Sequence, residues 1–392
     1  MVRHQKQSRA PGHARASDPH ERACRGARHA LGIAACLGLS LAGLPQRPVA
    51  LAQRLALDQQ ALRARIEVLE SSKSHAGFLS AASKLRESKS FVDGFIDLDG
   101  WAVGRHELNL VHDLNSPDSK DSDGAALDLD VDREGSPLWV IAHYARELRE
   151  RGIDLLVVPV PNRVQVWPDR LPDGAKPDPG GGGDLGSARL LLALSEAGVE
   201  VVDLSRVFAA EREHAEPDPG DRLFRDYNPH WAPRAVVLTA DAIVARVRRM
   251  EWYEPGPEHE GVDFFLHRER LQHTFANHGS PPTEYETFWF DLVLDGSREL
   301  IVQDDRDSPV LILGDSYSDI YRTSGADIAV ELYARLGFKM DRIAVPNGGA
   351  NTVWQAVARR RDELRGKKLV IWIFRMSEFT NPKFRAVDPF AG

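Results

Sequence analysis

Cysteine is scarce in this sequence and is confined to the N-terminal region. The chain of 392 residues has two cysteines, Cys24 and Cys36, and both fall within the first 52 residues. A small secreted domain held together by disulfides needs several pairs, so the cysteine count argues against that class of protein. The rest of the chain has no thiol, which suits a protein that works in a bacterial periplasm without disulfide bonds.

Other motifs that the sequence lacks narrow the range of metal and cofactor sites that we expect. The sequence has no His-Glu-x-x-His motif and no Cys/His cluster, so nothing indicates a metal site. The glycine run at 180–183 follows prolines and aspartates, and it predicts a flexible loop and not a phosphate-binding loop. We therefore expect no metal and no cofactor. A hydrophobic content of 42% and a charged content of 28% are those of a soluble globular protein.

The first 52 residues have the layout of a secretory signal. Arg22, Arg25 and Arg28 precede an uncharged stretch over 30–44, and small residues follow at 50–52 with the spacing of a cleavage site. We expect export to the periplasm, with an uncleaved inner-membrane anchor as the alternative.

Charge argues against nucleic acid as a partner. Eight of the 50 basic residues and two of the 58 acidic residues lie within residues 1–52. The rest of the chain therefore has 42 basic and 56 acidic residues, and its net charge is −14. Nucleic-acid binding depends on basic surface, so we expect none. A polyanionic polymer would need a local basic lining.

Residues 53–93 are predicted to form a helical stalk or linker ahead of the main domain. Apolar residues recur there at helical spacing and are Leu55, Leu62, Ile66 and Leu69. This pattern indicates an amphipathic helix that either packs on the main body or pairs with another chain. The second alternative predicts self-association through residues 55–69.

Residues 94–392 predict one α/β domain. Helical patterns alternate with short apolar runs that are typical of strands covered on both faces. The predicted helices are 138–151, 187–197, 233–249, 326–336 and 352–364, and the predicted strands are 153–161, 199–204, 310–313, 343–345 and 368–374. This order predicts a three-layer fold with a mainly parallel sheet. Aromatic alternation near Trp289 indicates a β-rich insertion at about 254–305.

One predicted strand is followed directly by a candidate catalytic residue. The apolar run 310–313 breaks at Gly314 and continues as Asp315-Ser316. Ligand sites of open parallel sheets lie at the carboxyl ends of the strands, so Ser316 is a candidate nucleophile. The alternative is an ordinary turn, because glycine, aspartate and serine are common turn residues.

A serine nucleophile needs a base, and His230 is the best-placed histidine in the sequence. It lies between Pro229 and Trp231 just before a predicted helix, and both neighbours restrict its freedom. Histidine is the usual base because its ordinary pKa lies near neutrality. The alternative is a turn residue that packs on Trp231.

Three motifs together resemble a known family. They are His230-Trp231-Ala232-Pro233 before a helix, Gly314-Asp315-Ser316-Tyr317-Ser318 after a strand, and the upstream segment 157–163. Between about residues 94 and 379 the chain resembles the SGNH-hydrolase-like, AlgX/AlgJ-type family of periplasmic polysaccharide O-acetyltransferases. The resemblance implies an SGNH-hydrolase-like, flavodoxin-like sheet.

The resemblance also implies roles for individual residues. Ser316 would accept the acetyl group and His230 would be its base. The family has an aspartate two residues before the histidine, where this chain has Asn228. Asparagine can hold an imidazole tautomer, but it cannot balance the charge of an imidazolium. Three explanations stay open: Asp226 takes the role, Asn228 serves in a Ser-His-Asn site, or the site is weakened.

Acyl transfer also needs hydrogen-bond donors for the oxyanion. The Ser316 amide is one candidate, and the paired glycines Gly348 and Gly349 after a predicted strand are others. The candidate substrate contacts are Arg163, Arg375 and Tyr317. For the two arginines the alternative is an ordinary strand-end charge in solvent.

The expected protein is an exported, cofactor-free O-acetyltransferase that moves acetyl from Ser316 to a polysaccharide hydroxyl. The resemblance implies a membrane-bound O-acyltransferase-type partner that donates the acetyl group. An acetyl-esterase with the same residues is one alternative, and a non-catalytic polysaccharide-binding scaffold of a secretion complex is another. The acidic charge favours a neutral glycan, unless Arg163, Arg225 and Arg375 line the groove.

Overall fold

A computed structural model describes most of the chain after residue 49. The described residues are 50–98, 101–116, 130–174, 176–177, 183–214, 222–226, 228–254, 265–273, 286–294, 299–300, 304–380, 384, 386–388 and 390. The predicted signal segment, with both cysteines, lies outside them except for residues 50–52. No helix in the described ranges is long and apolar enough to cross a membrane.

A five-stranded parallel sheet forms the centre of the domain. Its strands are β3 (Asp154–Val160), β4 (Glu200–Val201), β7 (Val310–Gly314), β8 (Asp341–Ala344) and β9 (Leu369–Arg375). Their spatial order is β4-β3-β9-β7-β8, and every neighbouring pair is parallel. The predicted α/β fold with a parallel sheet is confirmed. Strand β4 is shorter than the predicted strand 199–204, which instead runs into a helix from Leu204.

In the described residues, four further strands lie outside this sheet. Strands β1 (Phe95–Asp97) and β2 (Ala102–Gly104) pair antiparallel, as do β5 (Phe265–His273) and β6 (Glu286–Leu294). The β5–β6 hairpin falls within the predicted β-rich insertion. Phe288 and Phe290 of β6 are fully buried in the main hydrophobic core, so the hairpin is packed on the domain.

Helices cover both faces of the sheet. They are α1 (Leu51–Ser71), α2 (Lys73–Arg86), α3 (Arg105–Asn115), α4 (Pro137–Glu150), α5 (Arg163–Val166), α6 (Leu185–Glu196), α7 (Leu204–His214), α8 (Pro233–Val247), α9 (Ser316–Asp319), α10 (Ile328–Leu336) and α11 (Gly349–Arg360). Short 3₁₀ turns span Pro168–Arg170, Arg322–Ser324 and Met376–Thr380. Helices α3 and α7 were not predicted from the sequence.

Alternate residues of each strand face opposite layers, which explains the continuous apolar runs. In β9, Ile371 and Ile373 belong to the core beneath α8 and α10. Trp372 and Phe374 belong to the core beneath α4, α6 and α11. Strands covered on both faces are thereby fixed in a three-layer arrangement.

The N-terminal helix α1 packs on the main body. Leu62 and Leu69 are buried, and Arg54 donates to Glu200 of β4 at 3.0 Å while both side chains are almost fully buried. Of the two alternatives for this helix, the structure shows packing on the body. Self-association through residues 55–69 stays a prediction. Helix α2 lies where the sequence indicated a loose helix or linker, and Phe78 anchors it in a separate small core.

Candidate active site

Ser316 lies at the carboxyl edge of the sheet. Strand β7 ends at Gly314, and the Asp315 side chain caps the short helix α9 by accepting the Tyr317 backbone N–H at 2.9 Å. A Cβ at Gly314 would lie 2.5 Å from Ser318 Oγ and 2.9 Å from the Ile373 carbonyl oxygen. Glycine is therefore required for the tight turn that presents Ser316.

His230 reaches this edge on a narrow loop before α8. The Phe224–Trp231 bridge closes the loop, and the Arg225 N–H donates to the His230 carbonyl at 3.2 Å. Trp231 is fully buried, and its carbonyl accepts a hydrogen bond of 2.9 Å from the Tyr321 hydroxyl. The buried Trp231 and its bridge to the buried Phe224 thus hold the histidine backbone in place.

The structure brings Ser316, His230 and Asn228 together. His230 Nε2 lies 2.8 Å from Ser316 Oγ. Asn228 Oδ1 accepts the His230 backbone N–H at 3.0 Å and also contacts Nδ1 of the imidazole. A backbone N–H can only donate, so the atom it meets must be the amide oxygen. Nδ1 therefore carries the proton, and the lone pair on Nε2 faces the serine hydroxyl.

Asp226 is turned to other partners. Its carboxylate pairs with Arg222. Its carbonyl oxygen accepts from Arg163 Nη1 at 2.8 Å and from the Ala102 N–H at 3.0 Å. Of the two residues that the sequence offered for orienting the histidine, the geometry therefore favours Asn228. Asp226 contributes its backbone to the fixation of the loop.

Arg163 does not occupy the position expected of a substrate contact. Its side chain is completely buried, and its guanidinium pairs with the buried carboxylate of Glu107 at 2.8 Å. It also donates to the carbonyl oxygens of Ala102, Arg225 and Asp226. Because these contacts lie within the protein, Arg163 supports the His230 loop and cannot meet a substrate. Arg225 is likewise buried, with 1% of its surface exposed.

Tyr317 packs against the imidazole of His230. Its ring stacks on His230 with 4.9 Å between the ring centres, and its hydroxyl donates to the Pro229 carbonyl. The side chain is buried, and burial raises the pKa of the Tyr317 hydroxyl, so it remains a donor. The ring and the hydroxyl of Tyr317 both contact the His230 loop, and its role as a substrate contact stays a prediction.

The electrostatic surroundings keep His230 neutral. Burial, followed by the positive charges of Arg225 and Arg375, lowers the pKa of His230 to about 4. Neutral imidazole is the form that can accept a proton from serine. Burial also raises the pKa of Asp315 to about 6, although its hydrogen bond from the Tyr317 N–H acts in the opposite direction.

The glycine loop after β8 lies beside the nucleophile turn. The Val345 N–H donates to the Gly314 carbonyl at 3.0 Å. The Gly348 N–H donates to the Val345 carbonyl at 2.9 Å, so Gly348 is not available as an oxyanion donor. Gly349, with φ of +60°, begins α11 and stays a candidate together with the Ser316 amide.

Arg375 ends β9 at the same edge of the sheet. About one third of its side chain is exposed (34%), and its Nη2 donates to Glu378 at 3.1 Å. Arg375 is thus the predicted substrate contact whose placement suits that role. Sequence reasoning missed Glu378, because an acidic residue in a turn carries no spacing signal. In the described ranges, no group of three or more His, Cys, Asp or Glu residues is arranged to hold a metal ion.

The fold and the serine–histidine pair define an SGNH-hydrolase-like protein. The chain matches the family model described as the SGNH hydrolase-like domain of the acetyltransferase AlgX over residues 134–376. Because the match covers more than half of the chain, the protein belongs to this family of acetyltransferases. The resemblance drawn from the sequence is confirmed. No curated protein matches the chain.

Similar chains are found among solved structures. The O-acetyltransferase domain of Pseudomonas putida AlgJ has 14% identity and a TM-score of 0.50, with 73% of this chain and 92% of that chain covered. Pseudomonas aeruginosa AlgX has 19% identity and a TM-score of 0.44, with 69% and 67% covered. Bacillus cereus PatB1 has 11% identity and a TM-score of 0.45, with 77% and 98% covered. The likeness to AlgJ supports the fold alone.

Proposed function

We propose that this protein is an O-acetyltransferase that carries acetyl on Ser316 and transfers it to a hydroxyl of an exported polysaccharide. One observation carries the proposal: the unprotonated Nε2 of His230 lies 2.8 Å from Ser316 Oγ, within proton-transfer distance. Membership of a family of acetyltransferases supports acetyl as the group that is transferred.

The first half-reaction forms the acetyl-enzyme. His230 Nε2 removes the hydroxyl proton as Ser316 Oγ attacks the acetyl carbonyl of the donor, and a tetrahedral oxyanion results. The Ser316 and Gly349 amides are the candidate donors to that oxyanion. The donor's leaving group then departs with the proton from His230, which returns to its neutral form.

The second half-reaction reverses these roles. A sugar hydroxyl gives its proton to His230 Nε2 and attacks the acetyl-Ser316 carbonyl, and Ser316 leaves with the proton returned by the imidazole. Water in place of the sugar would make the protein an esterase with the same residues. The choice depends on exclusion of water and on contacts with the sugar.

Location and partners complete the proposal. The arginine-flanked apolar segment before residue 52 supports export to the periplasm. A periplasmic enzyme has no access to cytoplasmic acetyl-CoA, so a membrane-bound O-acyltransferase-type protein is the proposed acetyl donor. Arg163 and Arg225 are buried, so of the three arginines weighed for an acidic sugar we propose the partly exposed Arg375 as the contact.

The decisive experiment is intact-mass analysis of the chain from Gln53 onward after mixing with a chromogenic acetyl ester. We expect one added acetyl group on the unchanged protein and none on Ser316→Ala. Ser324→Ala, a substitution in a nearby turn, should acetylate normally. Acetylation that survives Ser316→Ala, or its complete absence from the unchanged protein, would refute the proposal.

Turnover with added oligosaccharides then separates the two activities. A transferase should consume the ester faster with an acceptor present and should acetylate the sugar. An esterase should release acetate at a rate that the sugar does not change.

A further inference from the structure

Glu378 is a buried carboxylate that joins two parts of the site. It lies in the 3₁₀ turn Met376–Thr380 after β9 and is only 4% exposed. Its Oε1 accepts from Arg375 Nη2 at 3.1 Å, and its Oε2 accepts from the Ala350 backbone N–H at 3.2 Å. One side chain therefore fixes both a cation at the end of β9 and the first turn of α11.

The glycine before Ala350 allows this close approach. A Cβ at Gly349 would lie 2.5 Å from Glu378 Oε2, and the φ of +60° at this position is itself unfavourable for other residues. The preceding residues of the same loop are tied to Gly314 through Val345. The contact with Glu378 thus sets the backbone that lies beside the nucleophile turn.

Arg375, the other partner of Glu378, faces the reacting residues. Gly314 of β7 pairs with Ile373 of β9, which places Arg375 beside the turn that carries Ser316. Its charge acts on His230, and also on Asp315 and Tyr317, which flank Ser316 in sequence. A guanidinium in this location can stabilise negative charge that develops during acyl transfer.

We propose that Glu378 is a positioning residue of the acyl-transfer site. It holds the Arg375 guanidinium and the Gly349–Ala350 backbone in fixed places on two sides of the Ser316–His230 pair. The inference rests on the proposed function, because its effect on rate requires that Ser316 be acylated. The placement itself can be measured without turnover.

The kinetic test uses two substitutions that remove different contacts. Glu378→Gln keeps an oxygen for the Ala350 N–H and loses the charge that holds Arg375. Glu378→Ala loses both contacts. We expect Glu378→Gln to lower the acetylation rate of Ser316 at saturating ester by about tenfold, a part of the 10²- to 10³-fold effect of an oxyanion donor. The KM for the ester should change less than about threefold, because ester binding does not require this cation.

A double-mutant cycle with Arg375→Met identifies the route of the effect. Glu378→Gln should cause no further loss when Arg375 is already replaced. Glu378→Ala should still lower the rate in that background, because it also releases the glycine loop. If Glu378→Gln and Glu378→Ala cause equal additional losses of rate in the Arg375→Met background, the separate roles proposed for the two contacts of Glu378 are wrong.

A matched control separates positioning from general damage. Glu331 is also buried and also pairs with an arginine, Arg335, but it lies on α10. Glu331→Gln should leave the acetylation rate unchanged. If it lowers the rate as much as Glu378→Gln at a similar melting temperature, or if Glu378→Gln acetylates at the unchanged rate, Glu378 is not a positioning residue.

The second readout is NMR titration of the His230 imidazole. Loss of the Glu378 charge should leave Arg375 unbalanced and lower the pKa of His230 further, whereas Arg375→Met should raise it. These shifts do not depend on activity. If the unchanged protein fails to acetylate while both shifts occur, the proposed function fails and the placement stands. Absence of both shifts overturns the placement itself.

Discussion

At the scale of single residues, Asn228 determines how the site handles charge. Its amide oxygen fixes the proton of His230 on Nδ1, but an amide cannot balance an imidazolium. Burial and the positive charges of Arg225 and Arg375 lower the pKa of His230 to about 4. The neutral base is therefore available over a wide range of pH, although its protonated form is poorly stabilised during the reaction.

The substitution Asn228→Asp should raise the pKa of His230, because a carboxylate would lie against Nδ1. We expect the acidic limb of the pH–rate profile for Ser316 acetylation to move upward from about pH 4, by about 1 to 3 units. The rate on the neutral plateau should increase. Acetylation rates measured between about pH 3 and about pH 9, a range that contains the expected shift, provide the check.

Asp226→Asn is the matched comparison for this prediction. The Asp226 carboxylate pairs with Arg222, so its neutralisation should leave the acidic limb close to its original position. If the limb moves with Asp226→Asn and stays in place with Asn228→Asp, then Asp226 is the orienting residue.

At the scale of elements, the loop that carries His230 depends on a buried ion pair from two other segments. Glu107 lies in the first turn of α3, and Arg163 begins α5. Burial opposes the charge on Glu107, but Arg163 and the Gly104 N–H hold the pKa of this carboxyl below its ordinary value of 4.5. The pair therefore stabilises the fold above about pH 4.5, and that contribution is lost as the pH falls through the lower pKa of the folded state.

Arg163→Met should destabilise the protein by about 3–5 kcal/mol, because it leaves the Glu107 charge buried and unpaired. The double variant Glu107→Leu/Arg163→Met should recover much of that stability. It should not recover the acetylation rate, since the loop carbonyls have still lost their donor. Urea unfolding and acetylation kinetics on the same samples test both statements, and joint recovery would contradict the role given to Arg163.

Helix α1 is attached to the domain by a second buried pair. Arg54→Ala would remove the arginine that hydrogen-bonds to Glu200 and would leave the more distant Arg246, at 3.9 Å. The side chains of Arg54 and Glu200 are both less than 4% exposed. We expect a loss of about 3 kcal/mol or more in the free energy of unfolding, together with faster proteolysis within α1.

Arg63→Ala is the matched control on the same helix. Its pair with Glu196 is about half exposed on both sides (53% and 48%), so its loss should change stability by less than about 1 kcal/mol. Equal effects from the two substitutions would show that the buried pair does not hold the helix.

At the scale of the whole molecule, the sequence was sufficient for the class of fold, although helices α3 and α7 were not predicted. Apolar runs between helical patterns predicted the parallel sheet, and residues that follow different strands could be assigned to one edge. Local patterns made Ser316 and His230 candidates, and the family resemblance implied that they act as a pair. The long-range contacts were not accessible: the burial of Arg163 depends on Glu107, which is 56 residues away, and no spacing rule relates the two positions.

Net charge gives a prediction for the molecule as a whole. With −14 charges after residue 52, an oligosaccharide of uronic acids should be repelled at long range. We expect acetylation of such an acceptor to become faster as salt screens this repulsion, whereas a neutral acceptor should show little dependence on salt. Acceptor rates at two ionic strengths test this expectation, and a decrease with salt for the acidic acceptor would indicate local attraction.

Arg163 stabilises the His230 loop through hydrogen bonds to main-chain oxygens. Its guanidinium donates to the carbonyl oxygens of Ala102, Arg225 and Asp226. Every amino acid presents the same carbonyl, so these three hydrogen bonds do not themselves require a particular side chain at the three positions. The location of the base can therefore persist while the surrounding sequence diverges during evolution.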